Sequence, residues 1–419
     1  MANSFKPTDI LLPSGVDMTK WSVVACDQFT SEPKYWQESE KIVGDAPSTL
    51  NVIFPEIYLG EGEGRIEKIN RTMKEYIEKG LFKEYKNTFF LVRRRLKNGR
   101  VRNGLVGAID LEDYSFEKGA KSNIRATEGT VLERIPPRVK IRENALLEFP
   151  HIMLLIDDAE KTVVEPLTEK IDDLEKVYDF ELMQDGGHIS GYNVPEKYRN
   201  EVTAAIDKLA SETEFEKRYG ISGQSCLTFA VGDGNHSLAT AKTCWENIKK
   251  NLSEDEKKTH PARFALVELV NLHDDSLEFE PIHRVVFDIE PEEMYKAIFN
   301  FYPDASENDN GGKKIVCVWD GEEKSVWIKD DNNNLAVGTL QDFIDSYLKT
   351  VGGRVDYIHG EDVVRELSKG KNIGFLLPAM RKDELFKTVI LDGSLPRKTF
   401  SMGEARDKRY YTEGKKLYY

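Results

Sequence analysis

The sequence predicts an α+β protein with a larger N-terminal domain and a smaller C-terminal domain. Helical three- and four-residue spacings of apolar residues occur between short β-prone runs over 419 residues, a length beyond which a single core rarely keeps growing. Asn98-Gly99, a signal for a tight hairpin turn, separates two of the strand candidates. Beyond Pro291 the chain becomes more polar, so we predict domains at 1–287 and 288–419.

In the N-terminal domain, strands and helices are predicted from periodicity. Apolar residues on one side of the segment predict a helix over Glu56–Gly80, and Gly80 ends it. The other predicted helices are Pro195–Glu212 and a segment with apolar positions from Leu238 to Leu252. The predicted strands are Trp21–Cys26, Phe89–Arg93, Leu105–Asp110, His151–Asp157, Ser225–Val231 and Phe264–Asn271.

The C-terminal domain is predicted to be a small α+β unit with a basic, aromatic tail. Lys314–Trp319 and Ser325–Lys329 flank Asp320-Gly321 and predict a hairpin. Its further predicted elements are the helices Thr339–Val351 and Glu361–Leu367 and the strand Ile373–Pro378.

Composition excludes several function classes. The 73 acidic and 59 basic residues give a net charge of −14, which argues against sequence-independent binding of nucleic acid because phosphate binding needs excess cations. The longest apolar runs are too short to span a bilayer, so no membrane partner is expected. We interpret the four scattered cysteines as reduced thiols of a cytoplasmic protein: Cys26, Cys226, Cys244 and Cys317.

The strongest local signal is the turn from Asp233 to Ser237, between a predicted strand and a predicted helix. Gly234 lets the backbone approach a ligand, and the first amides of the helix carry a partial positive charge. The turn therefore indicates an anion pocket formed with Asn235, His236 and Ser237. A structural alternative stays open, in which Asp233 or Asn235 caps the helix and His236 is a polar turn residue.

An arginine-rich stretch is the second candidate. Arg125, Arg134, Arg138 and Arg142 could hold a phosphate or carboxylate, and Glu128 among them could act as a general base or hold Mg²⁺. A solvated charged loop is the alternative interpretation.

Two further segments carry weaker signals. The glycine-rich loop with Gly187 and His188 could contact a nucleotide or simply turn the chain. The tail from Pro396 to Tyr410 combines cations, hydroxyls and carboxylates that a purely structural terminus would not require, but a C-terminal arm that packs by salt bridges is the favoured interpretation.

Several motifs in one order resemble those of a known family. Asp27, the run Gly104–Gly107, the stretch Lys121–Arg142, the box Asp233–His236 and His283–Val286 resemble the uncharacterised domain-of-unknown-function family 1015 over nearly the whole chain. The family's box is similar to the phosphate-binding element of the ParB and sulfiredoxin-like superfamily, which includes kinases of free serine.

The resemblance implies a ParB/sulfiredoxin-like α/β core in the N-terminal domain, and a phosphate site. Asp233, Gly234 and His236 match the superfamily's box. Asn235 stands where the family has a histidine, and Ser237 replaces the arginine that grips phosphate. One of the arginines of the stretch Lys121–Arg142 would therefore have to supply the missing charge.

Turn, stretch and resemblance together predict a small-molecule phosphotransferase that uses Mg²⁺ and a nucleotide, ATP or ADP, on serine or phosphoserine. Glu128, His236 and Asp233 are the predicted catalytic residues, and Asp233 also the metal ligand. The expected partners are a small-molecule substrate and the nucleotide, and a homodimer stays open. The alternative is a nucleotide- or phosphometabolite-binding regulatory protein without turnover, because a site can keep anion affinity after losing transition-state contacts.

Overall fold

The computed structural model describes residues 4–419, and these form two compact units. The first unit extends to Leu277 and also includes Glu404–Tyr419, while the second comprises Glu278–Gly403. Both units combine helices with mixed or antiparallel sheet, so the predicted α+β class is confirmed. In the described part of the chain, no helix is long and apolar enough to cross a membrane.

The first unit contains most of the chain's strands and helices. Its strands up to Leu277 are β1 (Phe5–Lys6), β2 (Thr8–Pro13), β3 (Phe82–Thr88), β4 (Phe90–Arg95), β5 (Val101–Asp110), β6 (Tyr114–Ser115), β7 (Ile124–Ala126), β8 (Leu147–Glu148), β9 (Met153–Ile156), β10 (Glu175–Glu181), β11 (His188–Asn193), β12 (Phe229–Asp233) and β13 (Phe264–Asn271). Its helices are α1 (Met18–Trp21), α2 (Pro33–Val43), α3 (Glu63–Glu78), α4 (Ile135–Arg142), α5 (Glu165–Glu169), α6 (Glu196–Leu209), α7 (Glu212–Tyr219), α8 (Asn235–Ile248) and α9 (Glu254–Thr259).

A mixed ten-stranded sheet forms the centre of the first unit. Its order is β10-β11-β4-β5-β13-β9-β12-β7-β6, and β1 pairs with the end of β5. β9 is antiparallel to β12 and parallel to β13, whereas β7 is parallel to β12. The strands in the middle are buried on both faces, which explains why β13 reads as an almost continuous apolar run.

The second unit is built on a six-stranded antiparallel sheet. Its strands are β14 (Phe279–Phe287), β15 (Lys313–Trp319), β16 (Glu322–Ile328), β17 (Arg354–His359), β18 (Asn372–Leu376) and β19 (Phe400–Met402), in the order β16-β15-β18-β14-β17 with β19 on β14. Its helices are α10 (Pro291–Phe301), α11 (Ala336–Val351), α12 (Glu361–Leu367) and α13 (Lys382–Asp392).

The two units differ from the predicted domains both where the second unit begins and where it ends. β14 ends at Phe287, directly before the predicted boundary, yet it belongs entirely to the second unit. The final segment, Glu404–Tyr419, returns to the first unit and adds β20 (Lys415–Lys416), which pairs with β8. A change of composition near Pro291 could not reveal this return, because the partners of the tail lie hundreds of residues earlier.

Most strongly periodic elements lie where the sequence predicts them. The Asn98-Gly99 hairpin joins β4 and β5, and β13 and α12 have the predicted bounds. The predicted strand Trp21–Cys26 is wrong. This segment is the end of α1 followed by a single β-bridge between Val24 and Tyr410, because Asp17 caps a helical turn there.

Candidate functional site

Sheet topology brings three loops together at one edge of the first unit's sheet. Because β9 and β12 are antiparallel, the residues before β9 lie beside the residues after β12. Because β7 is parallel to β12, the residues after β7 lie at the same edge. His151, the turn after Asp233 and the segment from Thr127 therefore meet, although they are up to about a hundred residues apart in sequence.

The turn has the geometry that an anion site at a helix N-terminus requires. Gly234 is the N-cap of α8 and has a φ of +78°, so it supplies no side chain to cap the first amides. The Asp233 carboxylate accepts a hydrogen bond from the Gly234 amide (2.9 Å) rather than from the helix. The capping alternative is therefore wrong for Asp233, and Asn235 is itself the first residue of α8.

A hydrogen-bonded chain of side chains lies directly beside this turn. The hydroxyl of Ser237 lies 3.0 Å from Nε2 of His151, and Nδ1 of His151 lies 2.8 Å from the Tyr411 hydroxyl. The Cys26 amide donates to the same Tyr411 oxygen over 3.0 Å. Ser237 thus contacts a buried histidine whose other ring nitrogen is held by Tyr411 of the C-terminal tail.

Two carboxylates and a lysine stand at the same place. Asp27, whose side chain is 33% exposed, lies 3.9 Å from Nε2 of His151, and Lys408 lies 3.5 Å from Asp233. Burial, the largest single influence, raises the pKa of the Asp27 carboxyl, but His151, a hydrogen bond from Gln28 and the charge of Lys408 together outweigh it, so the pKa lies below its ordinary value. Asp27 is therefore ionised at neutral pH.

His236 is a neutral imidazole. Burial, followed by the charges of Arg138 and Arg134, lowers the pKa of His236 to about 4. Its Nε2 accepts from the Val131 amide over 3.4 Å, which leaves Nδ1 as the protonated nitrogen. His236 can therefore donate one hydrogen bond to an anion but does not bring a positive charge.

The four arginines predicted for the phosphate site have different surroundings in the structure. Arg125 and Arg142 are used structurally: Arg125 donates to the carbonyls of Ser122 and Ser225, both at 2.8 Å, and Arg142 pairs with Glu148 at 2.6 Å. Arg138 pairs with Glu56 and donates to the Arg134 carbonyl. Arg134 and Arg138 both act on the pKa of His236, so these two lie near enough to the turn to affect it.

Proline shapes the arginine-rich stretch in a way that the sequence interpretation missed. Pro136-Pro137 lies in the first turn of α4, where the missing amide hydrogens cost no helical hydrogen bond. Arg138 and Arg142 consequently lie one turn apart on a helix rather than in a solvated loop, and each is paired with a carboxylate of another segment, Glu56 and Glu148 respectively.

Glu128 follows β7 at the edge where the turn lies, and it is half-buried. The preceding residue, Thr127, donates to the Val231 carbonyl on β12 over 2.7 Å, which fixes the start of this segment against the turn. The Thr130 hydroxyl and the Asn235 side-chain oxygen are buried atoms with no hydrogen-bond partner. Such atoms are rare in folded proteins and mark polar space for a partner.

Gly187 and His188 lie at a different place in the sheet. Gly187 lies in the connection between β10 and β11, and His188 is the first residue of β11. Four strands separate β11 from β12, so about 24 Å lies between those two strands. A Cβ at Gly187 would collide with the Arg95 carbonyl, and His188 lies 2.7 Å from Asp179. The close approach to β4 explains the glycine structurally.

Sequence reasoning missed three residues of this site. His151, Lys408 and Tyr411 carry no local motif, and the sole signal was the mixture of cations and aromatics in the tail. Within residues 4–419, no group of three or more His, Cys, Asp or Glu side chains could hold a metal ion by itself.

Comparison with known proteins identifies a family and several solved structures of low similarity. No curated protein matches the chain. A mutant free serine kinase in complex with ADP has 12% identity and a TM-score of 0.38 over 76% of this chain and 93% of that chain. Another, in complex with AMP, has 12% identity and a TM-score of 0.37 over 73% and 92%.

SbnI with a C-terminal truncation from Staphylococcus aureus has 8% identity and a TM-score of 0.35, over 71% of this chain and 83% of that chain. At such TM-scores these structures assign no role to a residue of this chain. The family model for the protein of unknown function DUF1015, in contrast, matches residues 10–347, which is well over half of the sequence. The chain therefore belongs to the DUF1015 family, as the order of its motifs predicts.

Proposed function

We propose that this protein is a small-molecule phosphotransferase that uses a nucleotide and Mg²⁺, with serine or phosphoserine as its substrate. The observation that carries the proposal is the uncapped N-terminus of α8 at Gly234, with Lys408, Asp27 and His236 around it. Free amides, one cation and a neutral donor are the groups that stabilise charge on a transferred phosphoryl group.

Each residue has a role in the proposed reaction. The acceptor hydroxyl attacks the terminal phosphorus of the nucleotide, its proton passes to Glu128, and the bond from phosphorus to the leaving nucleotide oxygen breaks. The amides after Gly234 and the Nδ1 hydrogen of His236 hold the phosphoryl oxygens. Lys408 supplies the positive charge that the replacement of the box arginine by Ser237 removes.

The carboxylates fit Mg²⁺ only together with a nucleotide. Protein sites for Mg²⁺ commonly use one or two carboxylates and complete the shell with substrate phosphates and water. Asp233 is the residue proposed to hold the ion, which would neutralise charge on the phosphates. Lys408, already beside Asp233, would then share the same phosphate charge.

Phosphorus NMR of the purified protein with Mg²⁺, L-serine and ATP or ADP, and separately with phosphoserine, tests the reaction. We expect phosphoserine to form, or phosphate to leave it. Glu128→Gln should abolish turnover and keep nucleotide affinity, because the substitution removes the base and not the phosphate contacts. Lys408→Met should weaken nucleotide binding about tenfold, the order of one charge-assisted contact.

The matched control is Lys369→Met, which removes an exposed lysine from the second unit and should change neither quantity. A Glu128→Gln protein with full turnover would show that Glu128 is not the base. Unchanged nucleotide affinity in Lys408→Met would remove the lysine from the phosphate site.

A second function, nucleotide binding without turnover, is supported by the placement of the arginines. Arg125 and Arg142 are occupied by carbonyls and by Glu148, and Arg138 is paired with Glu56. A site with few free cations can bind phosphate and still lack transition-state contacts. Thermal stabilisation by nucleotide without any product in the NMR experiment would establish this second function.

A further inference from the structure

We infer that an apolar cavity beside the turn binds a planar ring carried by the phosphate ligand, so that the ligand is a ring-bearing phosphate ester. This inference rests on the proposed function, because it takes the phosphate to lie at the N-terminus of α8. It specifies the chemical group that is attached to the phosphate, which the phosphate site itself does not define.

The cavity has a volume of about 150 Å³ and belongs entirely to the first unit. Its walls are mostly apolar side chains, among them Val52, Phe54, Met73, Ile141, Ala145 and Leu147. Leu59, which also lines it, is 41% exposed, so the cavity opens to solvent on that side.

The cavity is continuous with the candidate site. Cys26, His151 and Ser237 line it and also form the hydrogen-bonded chain beside the turn. Ser237 and Ala241, one helical turn apart on α8, both line it, so it extends roughly 6 Å along the helix from the phosphate position. One ligand can therefore reach both places.

The charges at the cavity wall are neutralised within the protein. Arg138 is paired with Glu56, and Arg142 with Glu148 at 2.6 Å. Burial, helped by the charge of Asp27, raises the pKa of the Cys26 thiol to about 12, so the thiol is neutral as well. A neutral group is consequently preferred in the cavity, since a charged one would be desolvated without a free partner.

Size selects the kind of group. An apolar cavity of about 150 Å³ can hold a benzene molecule. A single six-membered ring or a flat base edge fits this space, whereas the side chain of serine would leave it unfilled. The ring can come from two sources, the base of the nucleotide or a ring on the acceptor, and both have the same chemistry.

Calorimetric titration of the full chain with five probes tests the inference: inorganic phosphate, phenyl phosphate, ribose 5-phosphate, AMP and phenol. We expect phenyl phosphate to bind at least tenfold more tightly than inorganic phosphate, because the ring is removed from water. AMP binding at least tenfold more tightly than ribose 5-phosphate would identify the base as the source. If AMP and ribose 5-phosphate bind with equal affinity while phenyl phosphate still binds more tightly than inorganic phosphate, the ring belongs to the acceptor.

A larger side chain that fills the cavity should lower the affinity for phenyl phosphate to that for inorganic phosphate. The affinity for inorganic phosphate itself should not change. Ala145→Leu fills the cavity from a buried position, and Ile141→Trp fills it from a half-buried position where the fold has more room. The matched control is Ala210→Leu, because Ala210 is a buried alanine that does not line the cavity.

The possible outcomes separate the inference from the proposed function. The inference is wrong if inorganic phosphate and phenyl phosphate bind equally tightly, or if phenyl phosphate still binds more tightly in both Ala145→Leu and Ile141→Trp. Either result leaves the proposed function unaffected. If phenol binds and no phosphate compound binds, the phosphate site is wrong, and with it the proposed function and the ring-bearing ester.

Discussion

At the level of single residues, protonation decides what the turn can do. His236 is neutral because burial and two nearby arginines oppose its charged form, whereas Asp27 is ionised because His151 and Lys408 favour its charged form. A neutral donor and an ionised carboxylate therefore coexist within one site. Lys408 is the cation nearest to Asp233 among the ion pairs of the described residues.

The neutral state of His236 has a measurable effect on stability. Its pKa is about 4 in the folded chain and 6.5 ordinarily. Between pH 6.5 and pH 4, the unfolded chain therefore binds a proton at this residue and the folded chain does not. The free energy of unfolding therefore falls as the pH drops from 7 to 4, by about 2 kcal/mol through this residue after allowing for solvent screening of its partly exposed ring. Urea unfolding of the wild type and of His236→Asn at several pH values measures this.

The other titrating groups are common to both proteins, so the difference between the two curves reports His236. We expect the stability of His236→Asn relative to the wild type to rise towards pH 4. A constant difference from pH 7 to pH 4 would show that the pKa of His236 is not lowered.

At the level of elements, the order of strands builds the site. The antiparallel pair of β9 and β12 places His151 beside Ser237, and the parallel pair of β7 and β12 places the segment with Glu128 at the same edge. The turn between β12 and α8 needs a left-handed residue, and its backbone packs against the residues before β9. Gly234 satisfies both demands.

A substitution at Gly234 tests two contributions to stability, the strain of a left-handed backbone and the close packing against the residues before β9. A Cβ at Gly234 would lie 3.0 Å from the Ile152 Cα, in addition to the strain of a φ of +78°. We expect Gly234→Ala to lower the free energy of unfolding by about 2–4 kcal/mol and to abolish phosphate binding. Chemical unfolding and phosphate titration measure the two effects.

Gly220 offers the matched control, because its φ is +66° and no atom lies within 4 Å of the position that a Cβ would take there. Gly220→Ala should cost about 1 kcal/mol and leave phosphate binding intact. Equal costs for both substitutions would show that close packing contributes nothing at the turn.

At the level of the whole molecule, the C-terminal tail completes the first unit. Arg409 is 2% exposed, pairs with Glu268 on β13, and donates to Glu413 over 2.7 Å. The Arg409 carbonyl accepts from the Ala25 amide, and the Tyr411 amide donates to the Val23 carbonyl. The buried ion network thus holds the tail where Lys408 and Tyr411 reach the site.

Breaking this network should destabilise the first unit strongly. Arg409→Leu leaves two buried carboxylates without their partner, so we expect a loss of about 3–5 kcal/mol in the free energy of unfolding. Arg406→Leu, which breaks a 2.9 Å pair of two partly exposed side chains with Asp185, should cost less than about 1 kcal/mol. Thermal and urea unfolding compare the two, and similar losses would mean that the buried network does not anchor the tail.

The sequence alone was enough to predict the α+β class, most of the strongly periodic helices and strands, the strand–turn–helix unit at Asp233–Ser237 and the family. These features depend on local periodicity and turn chemistry, which neighbouring residues carry. The folded chain was needed to show that Arg125 and Arg142 serve the fold and that His151, Lys408 and Tyr411 stand at the turn. The apolar cavity beside them also became visible only there. Hydrogen-bond partners and burial of a side chain depend on strands and a tail hundreds of residues away, and no local pattern contains that information.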